Sequence, residues 1–329
     1  MGTMAGGDDG QGNQIGVAPG ARWVACRNME QGDGTPATYI ECFEWFLAPT
    51  DLAGNNPQPA LAPHVINNSW ACPESEGCNA SNWATMQMVV ANLKAAGIVV
   101  VVSAGNSGPS CSTVNTPAAI FEESFSIGAT RSNDTIVSFS SRGPVLADSS
   151  GRMKPNVSAP GVGVRSSIRN GQYAAFSGTS MAGPHVAGLV ALLISANPEL
   201  AGQVETIETI IEQTAVPMLS DQNCGDIPGT NIPNPVYGYG RVDAFAAVQR
   251  ALELVSATET VAMTNGVDIF PNPFGAEINL RSHLGDQALR LDVYNAAGLL
   301  VFSRRWPQGL SSETVSLQGL PSGMYLYRL

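Results

Sequence analysis

The run GIVVVVSAGN (97–106) constrains this chain more than any other stretch, because Ile98 to Val102 are five consecutive β-branched residues. A strand with one wet face alternates apolar and polar side chains. A strand apolar at every position is buried on both faces, which is the situation of a parallel sheet covered by helices on each side. The segments around it agree. HVINNSW (64–70), SFSIGAT (124–130) and VSAPG (157–161) read as strands, while SNWATMQMVVANLKAAG (81–97), Ser180 to Ala196, VETIETIIEQTA (204–215) and VDAFAAVQRALEL (242–254) read as helices. Alternation of this kind predicts an α/β domain built on a doubly wound, mostly parallel sheet. The segment from Ser180 is apolar nearly all round, so its helix is expected at the centre.

That alternation stops at SATETVAMTNG (256–266). Beyond it lie strands only, in EINLR, LRLDVYNAAGLLVFSRR, ETVSL and MYLYRL, with NAAG (295–298) as a hairpin turn. The expected organisation is an α/β domain over 1–255, a linker over 256–267 and a small all-β sandwich over 268–329. No internal repeat is evident.

With 44% hydrophobic residues in 329, the chain can bury a large core. The net charge is −11, Lys94 and Lys154 are the only lysines among sixteen basic residues, and no basic run occurs. Nucleic acid and anionic membranes are therefore not expected partners. The longest apolar run is far too short for a membrane span, so no transmembrane segment is expected. The six cysteines (26, 42, 72, 78, 111, 224) match no zinc spacing and have no histidine beside them. Disulfides in an oxidising compartment fit better than free buried thiols. Cys72 and Cys78 flank a short loop, Cys26 and Cys42 suggest a second local pair, and Cys111 and Cys224 can pair only if the fold joins them. GTMAGGDDGQG after Met1 lacks the cationic start and apolar stretch of a signal peptide. Both ends are expected to be cut, with any targeting segment upstream of Met1.

The chemistry-bearing segment is FSGTSMAGPHVAG (176–188), which sets Ser180 among small residues at the mouth of the apolar helix. A helix N-terminus offers free N–H groups and the positive end of a dipole, which suit a nucleophile whose product is an oxyanion. Gly178 permits close approach of backbone and substrate, Gly183 and Gly188 permit tight helix packing, and Pro184 is expected to be harmless in the first turn, where its missing N–H has no partner. A serine there is ordinarily just an N-cap. The second segment, SAGNSGP (103–109), places Asn106 between glycines at the carboxyl end of the buried strand, where an amide can donate to such an oxyanion.

FSGTSMAGPHVAG resembles the nucleophile segment of the subtilisin family, the subtilases, and VVVVSAGNSGP resembles that family's oxyanion-asparagine segment. VINNSW, SFSSRGP, KPNVSAPG and YGYGRVDA resemble further family segments in the same order. The resemblance implies a serine endopeptidase acting on protein or peptide substrates through an acyl-enzyme. Ser180 is then the nucleophile and Asn106 the oxyanion donor, while the backbone around Ser69, Trp70 and Ala71, and around Ser103, Ala104 and Gly105, lines the primary specificity pocket. It implies no metal or other cofactor for catalysis. Structural calcium is common in the family, but no ligand set is legible here.

No histidine in the chain suits the role of base. His185 follows Ser180 by five residues, about 140° round the helix. His64 opens a strand whose far end, about 20 Å away, carries the site. His283 lies in the C-terminal unit. MGTMAGG followed by IGVAPGA resembles the tail of the family's histidine segment, so the catalytic His and Asp are expected upstream of Met1. Asp8 and Asp9 are read as turn residues. DIFPNPFGAEINL, LRLDVYNAAGLLVFSRR and LQGLPSGMYLYRL resemble the sorting domain of type IX secretion. That resemblance implies outer-membrane secretion machinery as a partner and a secreted or cell-surface location. A catalytically inactive binding or adhesion protein on a protease scaffold is the alternative, against which the intact SGTSMA and SAGN weigh.

Overall fold

A computed structural model describes residues 1–7, 10, 12–259, 267–270, 276–282, 288–295, 299–306, 312–321 and 325–328. The chain divides into two compact units, Met1–Val255 and Ser256–Leu329. The first begins with a short helix α1 (Gly2–Ala5), a two-residue hairpin of β1 (Met29–Glu30) and β2 (Asp33–Gly34), and helix α2 (Pro36–Leu47). It continues with β3 (Val65–Asn68), α3 (Ala80–Ala95), β4 (Val99–Ser103), β5 (Phe125–Thr130) and β6 (Val157–Pro160). A hairpin of β7 (Val164–Ser167) and β8 (Tyr173–Phe176) then leads into α4 (Thr179–Ala196), followed by α5 (Val204–Thr214) and α6 (Ala244–Glu259).

Strands β3, β4, β5 and β6 form one parallel sheet in that order. The β-branched run explains itself in β4. Val99 and Val101 face the core shared with α4, α5 and α6, whereas Val100 and Val102 face the core shared with α2 and α3. Each such fully buried valine contributes about 1.5–3 kcal/mol of hydrophobic stabilisation. The apolar helix α4 is long and apolar enough to cross a membrane by composition alone, yet it packs on the sheet through Ala182, Val186, Val190 and Leu193. Its glycines mark close approaches: a Cβ on Gly188 would stand 2.6 Å from Val17 Cβ, and one on Gly183 would stand 2.9 Å from Asn67 Oδ1.

The structure departs from the sequence reading in several places: helix α1 and the hairpins β1–β2 and β7–β8 were not expected, and three further features bear on the site and the domain boundary. Helix α2 was not anticipated, although its start is explicit: Thr35 and Thr38 form a reciprocal capping box and Pro36 takes the first turn. Helix α6 runs on to Glu259, into the stretch read as linker. Pro184 is not in a turn that lacks partners. Because α4 begins at Thr179, the N–H that Pro184 lacks is the one that would have reached the Ser180 carbonyl four residues back.

All six cysteines are paired, as Cys26–Cys42, Cys72–Cys78 and Cys111–Cys224, with Cα separations of 5.6, 5.5 and 5.4 Å. The fold does bring residues 111 and 224 together. In the second unit, β9 (Val267–Phe270), β10 (Glu277–Ser282) and β13 (Ser312–Ser316) make one antiparallel sheet. A second consists of β11 (Leu289–Asn295), β12 (Leu300–Trp306) and β14 (Tyr325–Arg328). Ile278 and Leu280 of the first share a core with Leu291, Val293 and Trp306 of the second. Most of the NAAG turn, with Asp8, Asp9 and His283, lies outside the described residues.

Candidate active site

Three carboxyl ends converge: β3 is followed by Ser69, β4 by the loop that carries Asn106, and β6 by Gly161. Gly178 N–H donates to the Gly161 carbonyl at 2.8 Å, which fixes the start of α4 against the end of β6. Ser180 is the second residue of α4, so its N–H belongs to the first turn, where no helical carbonyl can receive it.

Ser180 and Ser69 hold each other. The Ser180 hydroxyl donates to the Ser69 carbonyl at 3.3 Å, and the Ser69 hydroxyl donates to the Ser180 carbonyl at 2.9 Å. The second bond replaces the helical donor that Pro184 cannot supply. Ser69 Oγ in turn accepts from Asn67 Nδ2 at 2.8 Å, whereas Asn67 Oδ1 is buried without a partner. Asn67 was not singled out by sequence. NNSW carries it, but nothing in the string distinguishes a strand asparagine from a network asparagine.

Asn106 is turned by Thr179. Its Oδ1 accepts from the Thr179 N–H at 2.9 Å and from the Thr179 hydroxyl at 3.1 Å. A backbone N–H can only donate, so the amide oxygen must face Thr179 and Nδ2, the donor end, must face away. Thr179 Oγ1 also accepts from the Gly105 N–H at 3.3 Å. One threonine thus ties the residue before Ser180 to the loop that carries Asn106.

Of the other expected pocket residues, Ala104 and Ser103 are buried, and Ser103 Oγ has no hydrogen-bond partner. Gly105 sits in the left-handed region, at φ 107°. Ala71 is exposed. Trp70 stacks flat on Tyr39 with ring centroids 3.8 Å apart, and Phe43 lies behind it at 5.7 Å. The Tyr39 hydroxyl donates to Glu76 at 2.5 Å. Burial, and then the Glu76 carboxylate, push the Tyr39 phenol well above its ordinary range. An apolar aromatic wall therefore stands one residue from Ser69.

No described histidine joins this cluster. His185 Nδ1 donates to the Met181 carbonyl at 2.9 Å, and burial lowers its pKa, as for a neutral packing residue. His64 is exposed before β3, and its carbonyl accepts from Val99 N–H at 3.0 Å. The edge of β3 away from β4 carries no strand among the described residues. No group of three or more His, Cys, Asp or Glu side chains suited to a metal exists among them either.

Comparison with known proteins gives a consistent picture. The profile of the subtilase family matches residues 1–240, and that of a secretion system C-terminal sorting domain matches residues 268–329. Bacillopeptidase F of Bacillus subtilis is 40% identical over 277 residues, which are 82% of this chain and 18% of that protein. Serine protease AprX of Bacillus subtilis is 32% identical over 216 residues, 59% of this chain and 47% of that protein. Subtilisin Savinase of Lederbergia lenta is 32% identical over 236 residues, 71% of each. A solved protease structure from Pseudoalteromonas arctica superposes with a TM-score of 0.57 at 25% identity, covering 76% of this chain and 69% of that one. The chain thus spans about half the length of AprX and under a fifth of bacillopeptidase F.

Proposed function

This chain belongs to the subtilase family and carries a secretion sorting domain, and on that premise we propose that it acts in a secreted serine endopeptidase whose nucleophile is Ser180. The observation that carries the reading is the Thr179 clamp on Asn106, which aims the amide donor away from Thr179 at the mouth of α4. In the proposed reaction Ser180 Oγ attacks a peptide carbonyl as its proton passes to an imidazole. The resulting oxyanion is held by Asn106 Nδ2 and the Ser180 N–H. Collapse of the tetrahedral species transfers the proton to the departing amine and leaves an acyl-enzyme, which water hydrolyses.

The imidazole and its carboxylate partner come from outside the described residues. The outer edge of β3, which carries no strand among the described residues, supports this, since a parallel strand added there would end beside Ser69 and Ser180. Trp70, half-buried and backed by the fully buried Tyr39 ring, favours an apolar substrate side chain. The sorting domain delivers the enzyme to outer-membrane secretion machinery.

Labelling the full-length gene product with a serine-directed phosphonate tests the reading. Modification of Ser180, lost in Ser180→Ala together with peptidase activity, is the expected result. Asn106→Ala should lower kcat on the order of 10²–10³-fold with little change in KM, the loss known for the equivalent donor of subtilisin. A properly folded full-length protein that neither takes the label nor cleaves any peptide would leave the inactive binding scaffold as the function.

A further inference from the structure

We propose that Ser141 is a positioning residue for the oxyanion site, setting the aim of Asn106 by gripping the backbone on both sides of it. The proposal rests on the reading of Asn106 as the oxyanion donor. Thr179 fixes the far end of the Asn106 side chain, but a side chain pinned at its tip still swings if its own backbone moves. Asn106 is exposed and follows Gly105, whose positive φ lies where ordinary residues are strained. Something must hold this turn.

Ser141 does so from the buried side. Its backbone N–H donates to the Gly105 carbonyl at 2.9 Å, and its hydroxyl oxygen accepts from the Ser107 N–H at 3.1 Å. The two bonds bracket Asn106 in sequence, one to each neighbour. The fit leaves no slack, because a Cβ on Gly105 would stand 2.8 Å from Ser141 Oγ. Ser141 has no exposed surface, and its own neighbours are anchored. Ser140 Oγ accepts from Ala129 N–H of β5 at 3.0 Å, and Arg142 N–H donates to Thr113 Oγ1 at 2.9 Å. The buried Arg142 guanidinium adds bonds to the carbonyls of Ser140 and Val137 at 2.6 and 3.0 Å. Rigidity therefore runs from the centre of the sheet through Ser141 to the two peptide units that flank Asn106. Electrostatic stabilisation of an oxyanion depends on donors held in place before charge develops, and displacement by about 1 Å is enough to lose a large part of it.

Ser141→Ala removes one acceptor beside the exposed Ser107, whose N–H water can serve, so the fold should persist with its thermal midpoint little changed. In the full-length protease, hydrolysis of a peptide p-nitroanilide should then show kcat lower by about tenfold, the worth of one hydrogen bond, with KM within about twofold. Inhibition by a peptide boronate, whose tetrahedral adduct on Ser180 presents an oxygen where the oxyanion forms, should weaken by the same factor, whereas competition by a product peptide should not. A double variant completes the test: in an Asn106→Ala background the Ser141→Ala change should have less than a twofold further effect on kcat. An undiminished tenfold loss in that background, or a normal kcat in the single Ser141→Ala variant, overturns the positioning role. A normal kcat in Asn106→Ala alone overturns the oxyanion reading itself, and with it this proposal.

Discussion

The exchange of a helical donor for a serine hydroxyl at Pro184 can be tested by removing Ser69. In Ser69→Ala the Ser180 carbonyl loses a bond of 2.9 Å and Asn67 Nδ2 loses its acceptor at 2.8 Å. Asn67 Oδ1 already lacks a partner, so the whole amide is left unpaired. Each neutral bond is worth about 0.5–1.5 kcal/mol net, and the two together about 1–3 kcal/mol. In a unit of this size that corresponds to a fall in Tm of about 2–4 °C for each kcal/mol. Pro184→Ala restores an N–H four residues after Ser180, in reach of the same carbonyl. In that background Ser69→Ala should cost less by about 1 kcal/mol, the share belonging to Ser180. Urea unfolding of the four members of this cycle, with disulfides intact and tryptophan fluorescence as the signal, measures the coupling. Equal costs in the two backgrounds, within about 0.3–0.5 kcal/mol, would show that the Ser180 carbonyl does not depend on Ser69 and would refute the reasoning.

Acid stability should report His185. Burial lowers its folded pKa below 6.5, so below that pH the unfolded chain binds a proton that the folded chain refuses, and stability falls by up to about 1.4 kcal/mol per pH unit until the folded pKa is reached; His185→Leu should flatten that slope between pH 6.5 and 5, and an unchanged slope would refute the assignment. The sequence separations of the disulfides are 113, 16 and 6 residues, so loop-closure entropy ranks their loss in that order. Replacing Cys111 and Cys224 by serine should cost about 2–3 kcal/mol more than replacing Cys72 and Cys78, read from urea midpoints. Deleting residues 268–329 from the full-length protein should leave peptidase activity in lysates and remove it from the medium, and normal secretion of the deletion variant would count against a sorting role.

Much of this fold was legible because its signals are local. The unbroken Ile98–Val102 run required burial on two faces, and β4 divides its valines between two cores accordingly. Six cysteines without a metal spacing favoured pairing over free thiols, and two of the three pairs are near neighbours. Helix α2 escaped because Tyr39, Cys42 and Phe43, its buried residues, make a stripe too narrow to stand out, even though Thr35 and Pro36 announce its start. At the site, Ser180 and Asn106 stood out because small residues crowd each of them in the string itself.

What the string could not hold is which groups meet. Thr179 reaches across 73 residues to turn the Asn106 amide, Ser69 across 111 to take the place of the donor missing at Pro184, and Ser141 across 34 to grip Ser107. Hydrophobic periodicity and glycine placement are properties of neighbouring residues, and they determined the parallel sheet, the central helix and the presence of a small-residue niche around one hydroxyl. The direction in which an amide points, and the identity of the group that satisfies a particular carbonyl, are set by partners brought within about 3 Å only when the sheet closes. Those were decided by the tertiary structure, because a hydrogen bond is sensitive to tenths of an ångström and sequence spacing is not.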